Sequence, residues 1–551
     1  MYYLRYYKKL FGYHDRFSTW SVSTFVFALV LIGPFGALFV VAAGDSGGLW
    51  PHLLSTVFPR YVTNTLILMA GVAGFSLVLG ITTGWVVARF KFPAAGVFEW
   101  ALLLPATVPA YIIAYTYTDL LEYAGPIQGL LREIFGWQSA RDYWFPEIRS
   151  MGGAILVMSS VLYPYVYLMA RTAFRSTPAA YLEVALLHNR NFSIAVDLPL
   201  ARPAIVAGLA LVLMEVVSDF GTVEYFAIET LTLGVYNVWI GMHNLTAAAQ
   251  IAIFAFIFIL GLLYIEKSAR SRQRFTGSLQ RGNKIPLRKT DGKTAIACVL
   301  TCLLPITLGF LIPVTVLAIF VFKGLSVTDF PSLITAASNS LIVSAVSALC
   351  IVFISSLMVL TTTYKKHPFL KFITAISATG YAFPGVVLAI GVVAFSGAID
   401  SVSQMIFQNI FNIEPISFLI GSTVLLIIGY IIRFQAIGYG AMGAGVNGLS
   451  PNIMSAGFIS GRSFTSTMLS LGPPLLRNSM IAAGLLVFVD VMKELPMTLL
   501  LRPFNFETLS TFVYQFAKDE LLEEAALAAL GIVIAGLIPV LLLNASQRGK
   551  K

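Results

Sequence analysis

Four acidic residues stand inside stretches that are otherwise apolar, where a charge needs a chemical or structural reason. Glu215 and Asp219 are four residues apart, which places both on one helical face. Asp490 and Glu494 repeat that spacing, with Lys493 beside them. A charge at the centre of a membrane helix costs about 2.5–3.5 kcal/mol, so it usually faces a protein interior or an aqueous route. Because hard cations prefer carboxylate oxygens, the two pairs predict the lining of a cation pathway. Alternatively, they lie near the outer helix ends and pair with Lys493 or backbone N–H groups.

Other residue types with reactive chemistry give weaker signals. Cys298, Cys302 and Cys350 all lie in apolar runs, where a free cysteine usually acts as a small buried apolar residue. The segment around Gly277, Gly282 and Lys284 has the lysine displaced from nucleotide-loop spacing and has no preceding strand. The sequence therefore predicts no catalytic residue, no cofactor and no nucleotide site in this chain, and it leaves a metal site undetermined.

The elements that position these residues are membrane helices. Of 551 residues, 58% are hydrophobic and only 11% are charged, against roughly 25% charged residues in a soluble domain. This composition excludes a soluble protein and a disordered one. A net charge of +10 could indicate nucleic-acid binding, but the bases concentrate in loops on one side, so no nucleic-acid partner is expected. The chain is predicted to be an all-α polytopic protein in a lipid bilayer.

Twelve apolar stretches are long enough to cross a ~30 Å hydrocarbon core as helices. Those of the first half lie near residues 19–43, 63–89, 97–119, 152–174, 203–225 and 247–265. Those of the second half lie near residues 294–322, 338–362, 369–397, 418–440, 479–500 and 525–544. The first stretch is longer than a signal-peptide core, so we expect it to be a retained helix.

The distribution of basic residues predicts the orientation. With the amino terminus in the cytoplasm, the inner segments contain 28 Lys and Arg residues and the outer segments contain seven, while Lys493 lies within a span. Lys and Arg are enriched in cytoplasmic loops. Both termini and the basic linker 266–293 are therefore expected on the cytoplasmic side.

The two six-helix halves repeat one another at an offset of 275 residues, as from 64 to 339. Asn64-Thr65-Leu66 opens span two, and Asn339-Ser340-Leu341 opens span eight. The same offset relates Pro109 to Pro384, segment 199–202 to 474–477, Glu215 to Asp490, and Asp219 to Glu494. The predicted organisation is a transmembrane domain over 1–265, the linker 266–293 and a second transmembrane domain over 294–551. Two parallel repeats place a pathway between the halves near the midplane.

Two long cytoplasmic loops, 175–202 and 441–478, precede spans five and eleven. Each exceeds the 2–8 residues of a minimal helix connection and combines small residues, an arginine and a closing proline. The loops predict a short helix across the cytoplasmic face in each half, suited to docking a partner. An ordinary re-entry loop is the alternative.

At these loops the sequence resembles the permeases of ABC importers. The string SAGFISG at 455–461, with PP at 473–474, resembles their EAAxxxG coupling motif, which docks on an ATPase subunit. The strings from Leu198 and Asp490 are similar to fused twelve-helix permeases of ferric-iron importers. Both coupling motifs depart from the pattern, since Ser455 replaces the glutamate and Asn189 replaces the glycine. The resemblance implies these coupling residues: Glu183, Ala185, Asn189, Pro199, Ser455, Ala456, Gly457, Gly461 and Pro474.

The resemblance implies a type I ABC importer permease in a bacterial inner membrane. Its implied partners are two copies of an ABC ATPase, which would hydrolyse ATP, and one extracytoplasmic substrate-binding protein that delivers ferric iron. Thiamine, phosphonate and polyamine are alternative substrates of similar machinery. A proton-coupled secondary transporter with twelve helices in two parallel halves is the alternative from another class, although the duplicated inner loops disfavour it. A channel is a weaker third alternative.

Overall fold

The helices follow the apolar pattern of the sequence. The structure, a computed structural model, describes residues 18–188, 192–273, 285–365, 367–411 and 418–548. Its first helices are α1 (Thr19–Ala42), α2 (Leu49–Ser55), α3 (Phe58–Arg89), α4 (Ala95–Ala101), α5 (Ala110–Leu121), α6 (Pro126–Phe135), α7 (Met151–Ser176), α8 (Ala179–Leu187), α9 (Leu198–Ser218), α10 (Gly221–Tyr225), α11 (Leu231–Tyr236) and α12 (Leu245–Gln273).

The second half follows with a similar series. Its helices are α13 (Gly292–Ile306), α14 (Ile312–Gly324), α15 (Phe330–Lys365), α16 (Pro368–Ser377), α17 (Gly385–Ile406), α18 (Thr423–Asn447), α19 (Pro451–Ile459), α20 (Phe464–Met492), α21 (Pro496–Leu501), α22 (Leu509–Lys518) and α23 (Leu522–Arg548). Two short strands, β1 (Phe90–Lys91) and β2 (Arg288–Lys289), pair in parallel with Phe90 opposite Arg288.

The helix count agrees with the predicted membrane topology. Among the described residues, eleven helices are long and apolar enough to cross a membrane, and a twelfth span results if one bent pair counts as one. That pair is Ala95–Thr107 with Ala110–Phe135, bent by 89°. The predicted fold class, an all-α polytopic membrane protein, is confirmed.

Spans three and nine are interrupted at the two prolines that the repeat aligns. Pro109 is the residue before α5, and Pro384 is the residue before α17, both with extended ψ angles of 140° and 139°. A 3₁₀ turn precedes each of them, at Leu104–Thr107 and Gly380–Ala382. Proline lacks the N–H that would continue the preceding helix. The single continuous spans predicted over 97–119 and 369–397 are therefore each divided in two.

The predicted limits of spans five and eleven, 203–225 and 479–500, are wrong at both ends. The helices begin earlier and end earlier, at Leu198–Ser218 and Phe464–Met492. A proline does not close either loop, because Pro199 occupies the first turn of α9 and Pro474 lies inside α20. Proline is well tolerated in a first helical turn, where its missing N–H has no intrahelical partner.

The contacts divide the chain into two compact units that do not coincide with the sequence halves. Unit 1 consists of Met1–Asp45 and Pro331–Thr511, and unit 2 of Ser46–Phe330 and Phe512–Lys551. The first span of each half thus joins the helices of the other half. The boundaries predicted from the duplication, 1–265 and 294–551, describe the repeat in sequence rather than these contact units.

Glycines allow α1 and α14, the helices that join the unit of the other sequence half, to pack closely against their neighbours. In unit 1, α1 meets α17, and a Cβ at Gly391 would lie 2.3 Å from the Pro34 carbonyl oxygen. In unit 2, a Cβ at Gly324 would lie 2.2 Å from the Glu523 carbonyl oxygen, where α14 meets α23. A side chain at either position would force the two helices apart.

Candidate coupling and translocation sites

The first intramembrane pair lies where span five ends. Asp219 follows the last residue of α9, and its carboxylate accepts hydrogen bonds from the backbone N–H groups of Thr222 (3.1 Å) and Val223 (3.2 Å). The Thr222 hydroxyl donates a third, at 3.0 Å. Asp219 therefore holds the first turn of α10, as a helix-capping side chain does. Glu215 lies one turn earlier and is half-buried.

The second pair lies at the equivalent end of span eleven. Glu494 accepts a hydrogen bond from the Met497 N–H at 3.1 Å, which caps α21. The other carboxylate oxygen of Glu494 lies 3.3 Å from Nε of Arg433, and both side chains are buried. Arg433 also donates to the Phe383 carbonyl at 3.1 Å, in the turn before α17. Asp490 forms an ion pair with Lys493 at 2.8 Å.

Three of the four acids thus have local partners of the kind that the alternative interpretation specified, namely Lys493 and backbone amides. A carboxylate that caps a helix can still face a pathway, so their role in permeation stays a prediction. Within either unit, the described residues contain no group of three or more His, Cys, Asp or Glu side chains suited to a metal ion. Cys298 and Cys302 are free and buried in α13.

Each of the two long loops contains the short helix that the sequence predicts. In the first loop, α8 carries Glu183 on its exposed side and buries Ala185, which is 4% exposed. Asn189 lies outside the described residues. Pro199 is already in the first turn of α9. The described part of the first coupling motif therefore lies on a nine-residue helix, and the π-helical turn Ser193–Asp197 leads into span five.

In the second loop, α19 also has nine residues. Ala456 is exposed, and Gly457 packs against α20, since a Cβ there would lie 2.7 Å from the Thr467 methyl group. The side chain of Ser455 lies outside the described part. Gly461 has a φ of +81° with open space around it. Glycine is required at Gly461 because of this left-handed backbone rather than a close helix contact within the chain.

The structure contains an ion pair beside the first loop that the sequence analysis does not predict. Arg89, at the end of α3, donates through Nε to the Asp197 carboxylate at 2.8 Å. The same guanidinium donates to the Phe174 carbonyl at 2.7 Å, near the end of α7. The two side chains are 9% and 1% exposed. In sequence, Arg89 is one of many basic residues at the cytoplasmic boundary. Positive charge is expected there in any case, so nothing distinguishes Arg89 from its neighbours.

The duplicated Asn-Thr/Ser-Leu motif also has a defined role. Asn64 donates to the Glu229 carbonyl at 3.1 Å, and Asn339 donates to the Glu507 carbonyl at 2.9 Å. The next residue repeats as well, since Thr65 accepts from the Leu231 N–H at 3.0 Å. Its counterpart, the Ser340 hydroxyl, accepts from the Leu509 N–H at 2.7 Å. The repeat seen in sequence therefore has a repeated hydrogen-bond geometry.

Comparison with known proteins agrees with these elements. No family model matches the chain. It is 26% identical over 533 residues to the Fe(3+)-transport system permease protein FbpB 2 of Haemophilus influenzae, covering 94% of this chain and 97% of that protein. The chain is therefore similar to an ABC-type transport permease over nearly its whole length.

Shorter relatives match parts of the permease. One is the putative 2-aminoethylphosphonate transport system permease protein PhnU of Salmonella typhimurium, 27% identical over 222 residues (39% of this chain, 76% of that protein). Another is the probable molybdenum ABC transporter permease protein HVO_B0370 of Haloferax volcanii, 26% identical over 245 residues (43% and 85%). The resemblance to ABC importer permeases is confirmed, and these relatives do not support secondary transport. With its membrane-spanning helices, the permease is a multi-pass inner membrane protein.

Proposed function

We propose that this permease forms the translocation pathway for ferric iron, which an extracytoplasmic binding protein delivers and ATP hydrolysis in a separate subunit drives. The observation that carries the proposal is the end-to-end match to the ferric-iron permease, which covers 94% of the chain and hence both halves. The relatives named for phosphonate and molybdenum each cover less than half of it.

Two docking helices support two copies of the ATPase subunit. Helices α8 and α19 have the same length and occupy equivalent positions before spans five and eleven. Each contains a buried small residue, Ala185 or Gly457, that anchors the helix, and the residue before it, Val184 or Ala456, is exposed. ATP binding would draw the ATPase subunits together, and the docking helices would carry that movement to the spans behind them.

The transported substrate distinguishes the ferric-iron proposal from the alternative, an importer of an anion. Phosphonate, molybdate and sulfate are anions, and permeases named for their transport match segments of this chain. Purified permease should be reconstituted in proteoliposomes with its ATPase and candidate binding proteins, followed by uptake of radioactive iron. We expect uptake that requires ATP and the ferric-binding protein together. Uptake of molybdate or a phosphonate with no uptake of iron would overturn the ferric assignment and leave the ATP-driven mechanism intact.

The docking assignment has its own variant. Gly461→Glu should abolish stimulation of the ATPase, because a non-glycine residue is strained at a φ of +81° and the new charge lies on an exposed turn. Gly96→Ala is a matched control, since that glycine has open space and no positive φ. Normal stimulation in the Gly461 variant would show that the second loop is not a docking site.

The acidic pairs are proposed to line or gate the pathway. Neutralising one pair, with Glu215→Gln and Asp219→Asn, should reduce iron uptake while expression and ATPase docking stay normal. Asparagine retains an oxygen that can accept from Thr222 and Val223, so the cap on α10 survives the change. Unchanged uptake in the double variant would limit these acids to the structural role that the hydrogen bonds describe.

The orientation follows from the basic residues, with both termini and the linker 266–293 in the cytoplasm. A single cysteine introduced at Arg281 should react only with a membrane-permeant reagent. Reaction with an impermeant reagent added from outside would invert the topology.

A further inference from the structure

One arginine contacts the chain on both sides of the segment that carries the first docking helix. Helix α8 leaves α7 just after Phe174 and rejoins the chain at the π-helical turn Ser193–Asp197. Arg89 donates to the carbonyl of Phe174 at 2.7 Å and to the carboxylate of Asp197 at 2.8 Å. Its guanidinium therefore joins the end of α3 to the two points where the docking loop begins and ends.

Burial makes this connection stiff. Asp197 is 1% exposed and Arg89 is 8% exposed, so water screens the pair far less than it screens surface charges. A guanidinium also donates in a planar fork with fixed directions, which restrains the angle between its partners as well as their distance. The guanidinium therefore fixes the end of α3, the end of α7 and the start of α9 relative to one another.

We propose that Arg89 and Asp197 are positioning residues that transmit movement of the first docking helix to the spans. This rests on the proposed function, in which α8 and α19 dock the ATPase.

The test compares transport with ATP hydrolysis in the reconstituted complex of permease, ATPase and binding protein. Asp197→Asn should lower the substrate transported per ATP by about fivefold or more, a common size for coupling between sites, while the ATPase still binds. Arg89→Lys should recover part of the ratio because the charge remains without the fork.

Arg60→Gln provides the matched control. Arg60 lies at the opposite end of the same helix α3 and forms an ion pair with Glu229 at 2.9 Å, with 58% of its side chain exposed. Its loss should leave the ratio of transport to ATP hydrolysis unchanged.

A second variant covers the case in which Asp197→Asn fails to fold. Replacing the pair by apolar residues, Arg89→Met with Asp197→Leu, removes both buried charges together and often preserves folding. It should still show the lowered ratio, because apolar contacts do not fix direction. A wild-type ratio in this double variant or in Asp197→Asn would overturn the inference. A wild-type complex without ATP-driven uptake would instead refute the proposed function.

Discussion

Span five ends at α9 and is followed by the short helix α10; span eleven ends at α20 and is followed by the short helix α21. These two breaks occupy equivalent positions in the repeat, but different contacts stabilise them. In unit 2, Asp219 caps α10 through the N–H groups of Thr222 and Val223 and the Thr222 hydroxyl, all neutral donors. In unit 1, Glu494 caps α21 through the Met497 N–H and also pairs with the buried Arg433.

The comparison distinguishes two requirements: a capping hydrogen bond to the backbone, which both breaks have, and an ion pair with the capping carboxylate, which is seen at Glu494. Both breaks need an acceptor three residues before the N–H that it binds, because a new helix leaves its first N–H groups without intrahelical partners. Of the two capping carboxylates, that of Glu494 also pairs with a cation, Arg433, which in turn donates to the Phe383 carbonyl before α17. The broken spans nine and eleven of unit 1 are thereby linked by one charged contact.

The largest effect is expected from removing that cation. Arg433→Leu leaves the Glu494 charge buried without its partner, which should lower the free energy of unfolding by about 3–5 kcal/mol. Thermal unfolding in detergent micelles would measure the loss. Adding Glu494→Gln should recover most of it, because the amide oxygen still caps α21 while no charge is stranded. A loss in the single variant no larger than that of a surface substitution would show that Arg433 does not stabilise this break.

A smaller effect is expected at the equivalent break. Asp219→Ala removes the cap of α10 and should lower the free energy of unfolding by about 0.5–2 kcal/mol, as for other capping side chains. Asp219→Asn should cost less, since an acceptor oxygen remains. Unfolding under the conditions used for Arg433→Leu would rank the two breaks. A loss at Asp219 equal to that at Arg433 would remove the distinction between them.

Asn64 and Asn339 form the same hydrogen bond in the two halves, so substitutions there test a feature that the halves share. Asn64→Ala and Asn339→Ala each remove one hydrogen bond to a backbone carbonyl, so each should cost about 0.5–1.5 kcal/mol. The two losses should be equal within error in the same unfolding assay. A clear inequality would mean that the halves differ in more than the charge at their breaks.

The smallest effect is expected at the pair Asp490 and Lys493. The two side chains are 17% and 29% exposed, and Lys493 is the residue after α20, three residues beyond Asp490. Asp490→Asn should therefore cost about 0.2–1 kcal/mol, a value typical of partly solvated ion pairs. The loss should shrink as salt is raised. A cost that matches Arg433→Leu would place this pair in a drier environment than its exposure indicates.

Several features of the coupling region follow from sequence and several do not. The two short helices proposed to dock an ATPase are expected from loop length and motif, and a helix is present at each position. The sequence predicts that a proline closes each loop, yet Pro199 and Pro474 lie within helices. For Pro199 the physical reason is that a proline in the first turn of a helix and a proline in a loop look alike in sequence, because neither position needs the missing N–H.

The sequence by itself determined the number of spans and the duplication, including the prolines that repeat in spans three and nine. Those features are local, since hydrophobic length decides whether a helix can cross a bilayer. The breaks at Pro109 and Pro384 came from the structure, because the sequence predicted continuous spans there. Only the tertiary structure decided which helices share a unit, so that α1 joins the second half and α13 and α14 join the first. It also decided the partners of the charges, since Arg433 is 61 residues from Glu494 and Arg89 is 108 residues from Asp197. Pairings over such separations depend on how helices pack, and helical periodicity specifies only the face that a residue occupies.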